Sequence, residues 1–338
     1  MSYQLLRSSV VRGPAVLVIN NGDGSTGDQY FFSKDDIHLE WGHSTFDVAN
    51  SAYGVVDKRA KERMAKITFT PVGNITTGMA TVLWPYIKGN FQPGDSALKN
   101  ATSDPYVIVA PKAGAQYKFF GTTVTKQPEI MLSADKTQIG SVELTAIGQQ
   151  GADWGGGTDG ATGSGSLYLA TTTTYGTILT SAALAVSSIK TGPYTATYGS
   201  SLGASGTFST NAGFNLSFNS QMQPVETDEF GLFDWTIGDQ SASVSCAPLD
   251  ITADQIAAAI PMQSASRGAS LQSGVDLVID TTATVTTGLL YATLKNATIF
   301  QTGFTYNVAS QRIPQLTFTT VRSLSSGSLG APAIINIH

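Results

Sequence analysis

Apolar and polar residues alternate along this chain in many short runs. Ile37-His38-Leu39-Glu40-Trp41 and Phe214-Asn215-Leu216-Ser217-Phe218 are two of them, each patterned as a strand with one buried and one solvated face. They lie 177 residues apart, and at the same displacement Gly54 meets Gly231, Ile67 meets Val244, Phe69 meets Cys246 and Pro71 meets Pro248. Upstream, Gly13-Pro14 matches Gly192-Pro193. Each pair precedes a strand-like run and a Gly-rich turn, NNGDGSTGD or YGSSLGASG, that leads into Tyr30-Phe31-Phe32 or Phe208.

Downstream, both copies change from period two to helical spacing at the same place. Asn74-Ile75-Thr76 matches Asp250-Ile251-Thr252, triplets rich in N-cap residues, and Thr252 with Gln255 forms a capping-box pattern. Met79, Val82 and Leu83 make one apolar stripe, and Ile256, Ala259 and Ile260 the other. Trp84-Pro85 and Ile260-Pro261 close the two helices, because proline cannot continue a helix interior. A third block aligns at a displacement of 169, with Tyr106 and Ile108 on Val275 and Leu277, and Lys126 and Ile130 on Lys295 and Ile299. Val142–Thr145 then meets Leu316–Thr319, and Leu167-Tyr168-Leu169 meets Ile334–Ile337. The same order of elements, twice, predicts a mainly β chain: two tandem β-sandwich or half-barrel domains, residues 1–172 and 173–338, each with one short flanking α-helix. The Gly-rich stretch 151–166 reads as a loop of the first copy equivalent to Ser323–Gly330, with an interdomain linker as the alternative; the joint is expected near 172–180.

Composition narrows the function. Charged residues are 13% of the 338 and hydrophobic residues 41%, a low-charge mixture suited to strands, turns and surfaces that meet partners. The net charge of −5 argues against a protein that grips nucleic acid through phosphates. Residues 1–172 carry −1 and residues 173–338 carry −4. The single cysteine, Cys246, excludes an intramolecular disulfide and reads as a small buried residue. The apolar run Ala15–Ile19 is too short for a signal peptide, and no run reaches the length of a membrane span, so synthesis in a cytoplasm without export is expected.

Candidate chemistry is sparse. The three histidines, His38, His43 and His338, accompany no nucleophile or metal motif. Asn20–Asp28 looks superficially like a calcium loop but lacks the bidentate Glu, so a plain turn is expected. Gly155-Gly156-Gly157 and Gly160 match no phosphate-binding spacing. Asp35-Asp36 and Asp228-Glu229 are adjacent in sequence, and neighbours on a strand point to opposite faces. No catalytic residue, cofactor or metal is predicted.

The segments IHLEW…SAYGVVDKRAKERMAKITFTPVGNIT (37–76), the helix after them, and QPEIMLSADKTQIGSVELTAIG (127–148) resemble the major tail tube protein of long-tailed bacteriophages. The resemblance covers about 140 residues of the first copy well and the second copy loosely. It implies β-sandwich domains that close six at a time into rings stacked as a DNA-conducting tube in the virion tail. Two copies per chain then imply a homotrimeric ring with pseudo-sixfold symmetry, assembled in the host cytoplasm. The implied partners are further copies of the chain, a tape-measure protein, and tail tip and terminator proteins, with DNA passing through unbound. A long loop joining two strands, His43–Arg63 here and Asn219–Gly238 in the second copy, is implied to bridge subunits and rings. Its candidate residues are Asp47, Asp57, Lys58, Arg59, Lys61, Glu62 and Arg63, with Glu226, Asp228 and Glu229 in the second copy. The charge cluster 57–63 also reads as a solvated segment or, third, as a DNA contact. Candidate lumen-facing or polar strand positions are Glu40, Lys66, Glu143, Ser217, Ser245 and Thr317. The competing readings are a carbohydrate-binding or adhesive virion protein using Trp154 and Trp235, and a polysaccharide depolymerase.

Overall fold

The computed structural model describes residues 12–73, 75–87, 91–113, 115–148, 168–170, 175–179, 191–199, 202–203, 206–227, 231–249, 251–259, 275–281, 289–302, 305–306, 311–312, 315–320, 322, 324–325 and 328–337. It is mainly β. The first half runs β1 (Arg12–Asn20), β2 (Gln29–Ser33), β3 (His38–Asn50), β4 (Gly54–Phe69), β5 (Pro71–Val72), α1 (Thr77–Leu83), β6 (Tyr106–Ala113), β7 (Tyr117–Phe120), β8 (Thr122–Lys126), β9 (Ile130–Leu132), β10 (Thr137–Ile139), β11 (Val142–Ala146) and β12 (Tyr168–Ala170). After α2 (Tyr175–Leu179) come β13 (Tyr194–Tyr198), β14 (Thr207–Phe208), β15 (Thr210–Thr227), β16 (Gly231–Pro248), α3 (Ala253–Ala259), β17 (Leu277–Thr281), β18 (Leu290–Leu294) and β19 (Ala297–Thr302). The chain closes with β20 (Thr305–Tyr306), β21 (Gln311–Arg312), β22 (Leu316–Thr320), β23 (Leu324–Ser325), β24 (Ser328–Leu329) and β25 (Ala333–Ile337).

Two sheets of the first half recur in the second. One has the order β12-β7-β6-β1-β2-β5 and its counterpart β25-β18-β17-β13-β14; the other has β3-β4-β11-β8 and its counterpart β15-β16-β22-β19. The likeness extends to register. Val48↔Asp57, Asp47↔Lys58 and Thr45↔Ala60 on the first long hairpin become Val225↔Asp234, Pro224↔Trp235 and Met222↔Ile237 on the second, each residue 177 higher. The bulge after Val48 recurs after Val225. A bulge re-aims every side chain beyond it, so keeping it keeps the same residues on the buried face.

The two helices also correspond. Thr76 caps α1 through its Oγ1, which accepts from the Met79 amide at 3.2 Å. Ahead of α3, the Thr252 amide donates to Gln255 Oε1 at 3.0 Å and the Gln255 amide to Thr252 Oγ1 at 3.3 Å, the reciprocal pair that the sequence pattern implies.

The displacement of 169 for the third block is corrected. Val124 lies opposite Leu144 and Ile299 opposite Phe318, so Ile299 corresponds to Val124 and not to Ile130, which belongs to β9. Likewise Leu277 takes the place of Val107: β1 sets Leu17 against Val109, and β13 sets Ala196 against Ile279. The connection between β17 and β18 is longer than that between β6 and β7, which moves the displacement from 170 to 175. The turn beyond confirms it: Gly121 (φ 60°) corresponds to Asn296 (φ 46°), the two residue types that tolerate the left-handed region best. At the C-terminal strands Tyr168 pairs with Phe119 as Ala333 pairs with Leu294, a shift of two from the alignment read in the sequence.

One hydrophobic core runs through both halves, from Leu17, Phe31 and Ile67 to Phe214, Val244 and Phe318. A smaller cluster lies on the other side of β1, where Val16, Val18, Ile108 and Ala110 are covered by Ile178 of α2. This is why Ala15–Ile19 is continuously apolar: its strand is buried on both faces. The counterpart Tyr194-Thr195-Ala196-Thr197-Tyr198 alternates, with Thr197 exposed.

Candidate functional site

The polar strand positions assemble into two matching fields. In the first half, β3, β4, β11 and β8 line up Glu40, Lys66, Thr145 and Thr123 in one row and His38, Thr68, Glu143 and Lys126 in the next. Lys66 Nζ stands 3.9 Å from Glu143 Oε1, which also accepts from Thr125 Oγ1 at 2.9 Å. In the second half the corresponding rows are Ser217, Ser243, Thr319 and Thr298, then Asn215, Ser245, Thr317 and Gln301. Ser217 and Ser243 share a hydrogen bond of 2.8 Å between their hydroxyls. The opposite faces of the same strands carry Ala65, Ile67, Leu144, Leu216, Val244 and Phe318, all at most 1% exposed. Period-two alternation thus gathers Glu40, Lys66 and Glu143 on one sheet face, and Ser217, Ser245 and Thr317 on another. The first field mixes both charge signs; the second is built of hydroxyl and amide side chains.

The two fields are joined through the chain. β8 continues through Gln127-Pro128-Glu129 into β9, and β9 adds to β15 by pairing Ile130 with Leu216 and Leu132 with Phe214. Gln127 Nε2 donates to Ser220 Oγ at 2.9 Å, and Trp84 Nε1 donates to the Pro128 carbonyl at 2.8 Å while its ring lies edge-on to Phe218. A second seam forms where the segment 94–97 of the first half bonds along β16: the Gly94 amide to the Ile237 carbonyl at 2.7 Å, Ile237 to Asp95 at 2.8 Å, and Ala97 to Trp235 at 2.7 Å. Neither seam is anticipated by the sequence analysis. Ile130-Met131-Leu132 and Thr137-Gln138-Ile139 around a Ser-Ala-Asp-Lys turn do carry a hairpin signal, but which edge receives the hairpin is a tertiary matter.

The implied bridging loops are corrected in form. Residues 43–63 and 219–238 are not loops: each is the far part of a long antiparallel hairpin, β3–β4 and β15–β16. Strand-forming alternation continues through Thr45 and Val48, the turn of the first hairpin is only residues 51–53, and the strands of the second run to Thr227 and from Gly231. Asp47 and Lys58 face each other as an exposed ion pair at 3.0 Å, and Asp57 is exposed opposite Val48. Arg59, Lys61, Glu62 and Arg63 lie on β4, and their side chains are outside the described part of the structure. Glu226 is exposed opposite Leu232, whereas Asp228 and Glu229 lie outside the described residues. The first arm also exposes Trp41, Tyr53, Val55 and Val56.

The calcium-like turn uses its own oxygens. Asp23 accepts from the amides of Ser25 at 2.9 Å and Thr26 at 2.7 Å, and Asp28 accepts from Asn20 Nδ2 at 2.8 Å and from the Tyr106 hydroxyl. Partial burial would raise the Asp23 pKa, but the hydrogen bonds from Thr26, Ser25 and Asn21 outweigh it and hold the carboxyl at about 2. Burial alone pushes the Cys246 thiol up to about 12. Trp235 is packed against the core of β16 and not presented on a loop, and Trp154 lies outside the described residues, as does the stretch 151–166. Among the described residues no helix is long and apolar enough to cross a membrane.

Comparison with known proteins finds no family model that matches the chain and no match among curated proteins.

Proposed function

We propose that this chain is a structural, non-enzymatic subunit that closes into rings and stacks as the hollow tube of a virion tail, through which DNA passes. In this reading the two halves are tandem tube domains of sandwich or half-barrel form, and a ring is a homotrimer with pseudo-sixfold symmetry. The observation that carries it is the repeated strand row, β3-β4-β11-β8 and β15-β16-β22-β19, joined end to end within the chain and polar on one face. A row of strands with an open edge at each end is satisfied when copies continue it around a circle, because closure removes the exposed edges.

The polar fields suit the wall of such a conduit. One balances Lys66 against Glu143 and Glu40, and the other offers serine and threonine hydroxyls. In the described rows the basic side chains Lys66 and Lys126 are matched by Glu40 and Glu143, which limits phosphate contacts there and leaves DNA free to slide. The tape-measure, tip and terminator partners belong to the same proposal. The test is electron microscopy of the purified chain, averaged down the assembly axis. Three-chain rings with six similar lobes, or hollow tubes, are expected. Isolated monomers at high concentration, together with glycan binding, would replace this reading by the adhesive one.

A further inference from the structure

We propose that the seam joining the two halves of one chain is repeated between chains: the β20–β21 hairpin of one copy adds to the outer edge of β3 in the next. This rests on the ring reading above and names the contact that closes the ring.

Within the chain, the donor of the seam is the β9–β10 hairpin, which leaves the sheet between β8 and β11. Its counterpart leaves between β19 and β22, where β20 and β21 pair Thr305 with Arg312 and Tyr306 with Gln311. These pairs are Met131↔Gln138 and Leu132↔Thr137 displaced by 174, the displacement that also relates Leu144 to Phe318. The acceptor within the chain is β15, and its counterpart at a displacement of 177 is β3. Among the described residues the only strand paired with β3 is β4. At the start of β3 an open groove of about 680 Å³ is lined by Ile37 and Leu39 with Val109 and Tyr117 and by the charged Lys34 and Asp35. A hairpin cannot cross to the outer edge of β3 within its own chain, because β3 and β19 are the terminal strands at opposite ends of the joined rows.

The two arms also differ at their tips. Val55 and Leu232 hold one position on the two arms, yet Val55 is 53% exposed and Leu232 only 6%. The second arm meets segment 94–97 of the first half of its own chain through Trp235 and Ile237; in the ring reading the second half of another copy meets the first arm in the same way. Transposing the seam gives a definite register. Asn215↔Met131 becomes His38↔Thr305 and Phe214↔Leu132 becomes Ile37↔Tyr306, each pair lying across two chains.

The experiment is oxidative cross-linking of His38→Cys/Thr305→Cys in a Cys246→Ala background, run as assembled protein. Directly opposed strand positions lie about 4.5–5.5 Å apart at Cα, inside the span a disulfide bridges. Asn215→Cys/Met131→Cys in the same background reports the seam inside the chain and shows that the fold is intact. The test pair is expected to yield disulfide-linked trimers, and the control pair a cross-linked monomer. Rings seen by microscopy without the inter-chain disulfide overturn this contact and leave the ring reading standing. A cross-linked monomer from the test pair also overturns it. A chain that stays monomeric with the control bridge formed sinks the ring reading itself, and this contact with it.

Discussion

Gln127 and Ser220 are joined by a 2.9 Å hydrogen bond across the two halves of the chain, Nε2 to Oγ. Gln127 is 5% exposed, and its Oε1 also receives the Tyr86 amide at 3.4 Å. It therefore ties the end of β8 both to the segment after α1 and to the strand on which the second half begins its polar row. Removing it leaves the buried Tyr86 amide without this acceptor and the half-buried Ser220 hydroxyl without this donor. Gln127→Ala is expected to destabilise the chain by about 1–3 kcal/mol, the cost of leaving buried partners unmade. Ser220→Ala should cost less, because it removes one partner of one bond. Denaturant unfolding of both variants checks the order.

The caps of the two helices offer a second test. Thr252→Ala deletes one side of the reciprocal pair with Gln255 and exposes an unpaired amide at the start of α3. A loss of about 0.5–2 kcal/mol is expected, and Thr252→Ser should recover most of it. An unfolding midpoint unmoved by Thr252→Ala would mean that α3 is held by the packing of Ile256 alone.

Acid should weaken the turn at 20–28. The Asp23 carboxyl is held at about 2 in the folded chain against an ordinary value of 3.8. A depressed folded pKa contributes stability that is present above the unfolded value and lost as pH falls through the folded one, so the window lies between pH 3.8 and about 2. Asp23→Asn should show a flatter loss of stability across that window. Equal acid sensitivity in both proteins would assign the effect to other carboxylates.

The thiol of Cys246 should be silent in the native chain. It is 6% exposed, and its pKa is pushed up to about 12 by burial, so little thiolate exists at neutral pH. Modification by a thiol reagent is expected to follow unfolding, with native half-lives set by opening of β16. Rapid native labelling would contradict the placement of this strand.

The polar fields can be tested in the assembled particle. Ser217→Arg with Thr317→Arg places two cations on a face that carries none among the described residues; both positions are half-buried and Ser217 bonds Ser243, so a loss of about 1–3 kcal/mol in folding stability is expected and assembled particles are compared only if they form. If that face lines a DNA conduit, ejection should slow and become strongly salt-dependent. Unchanged ejection at low salt would place these residues away from the lumen.

Much of this architecture is legible in sequence because it is local. Strand alternation marks Ile37–Trp41 and Phe214–Phe218, and the Thr252–Gln255 spacing marks a cap, since both depend only on periodicity and on reach along one chain. The repeat is legible where the displacement is constant and misread where the β17–β18 connection lengthens, as with Ile130 and Ile299. The extended arms escape because charged residues at 57–63 look like a loop, whereas backbone pairing tolerates them on an exposed hairpin.

Strand alternation at Ile37–Trp41 and Phe214–Phe218, the two capped helices, the burial of Cys246 and the shared polar face of Glu40 and Lys66 are all readable from the chain alone. Hydrophobic period and capping chemistry suffice for these. The joining of β9 to β15, the cover of Val16 and Val18 by α2, and the burial of Leu232 where its counterpart Val55 is exposed depend on tertiary packing. Backbone donors and acceptors are the same at every strand edge, so edge pairing carries almost no residue code. It is settled by which edges the packed core brings within reach.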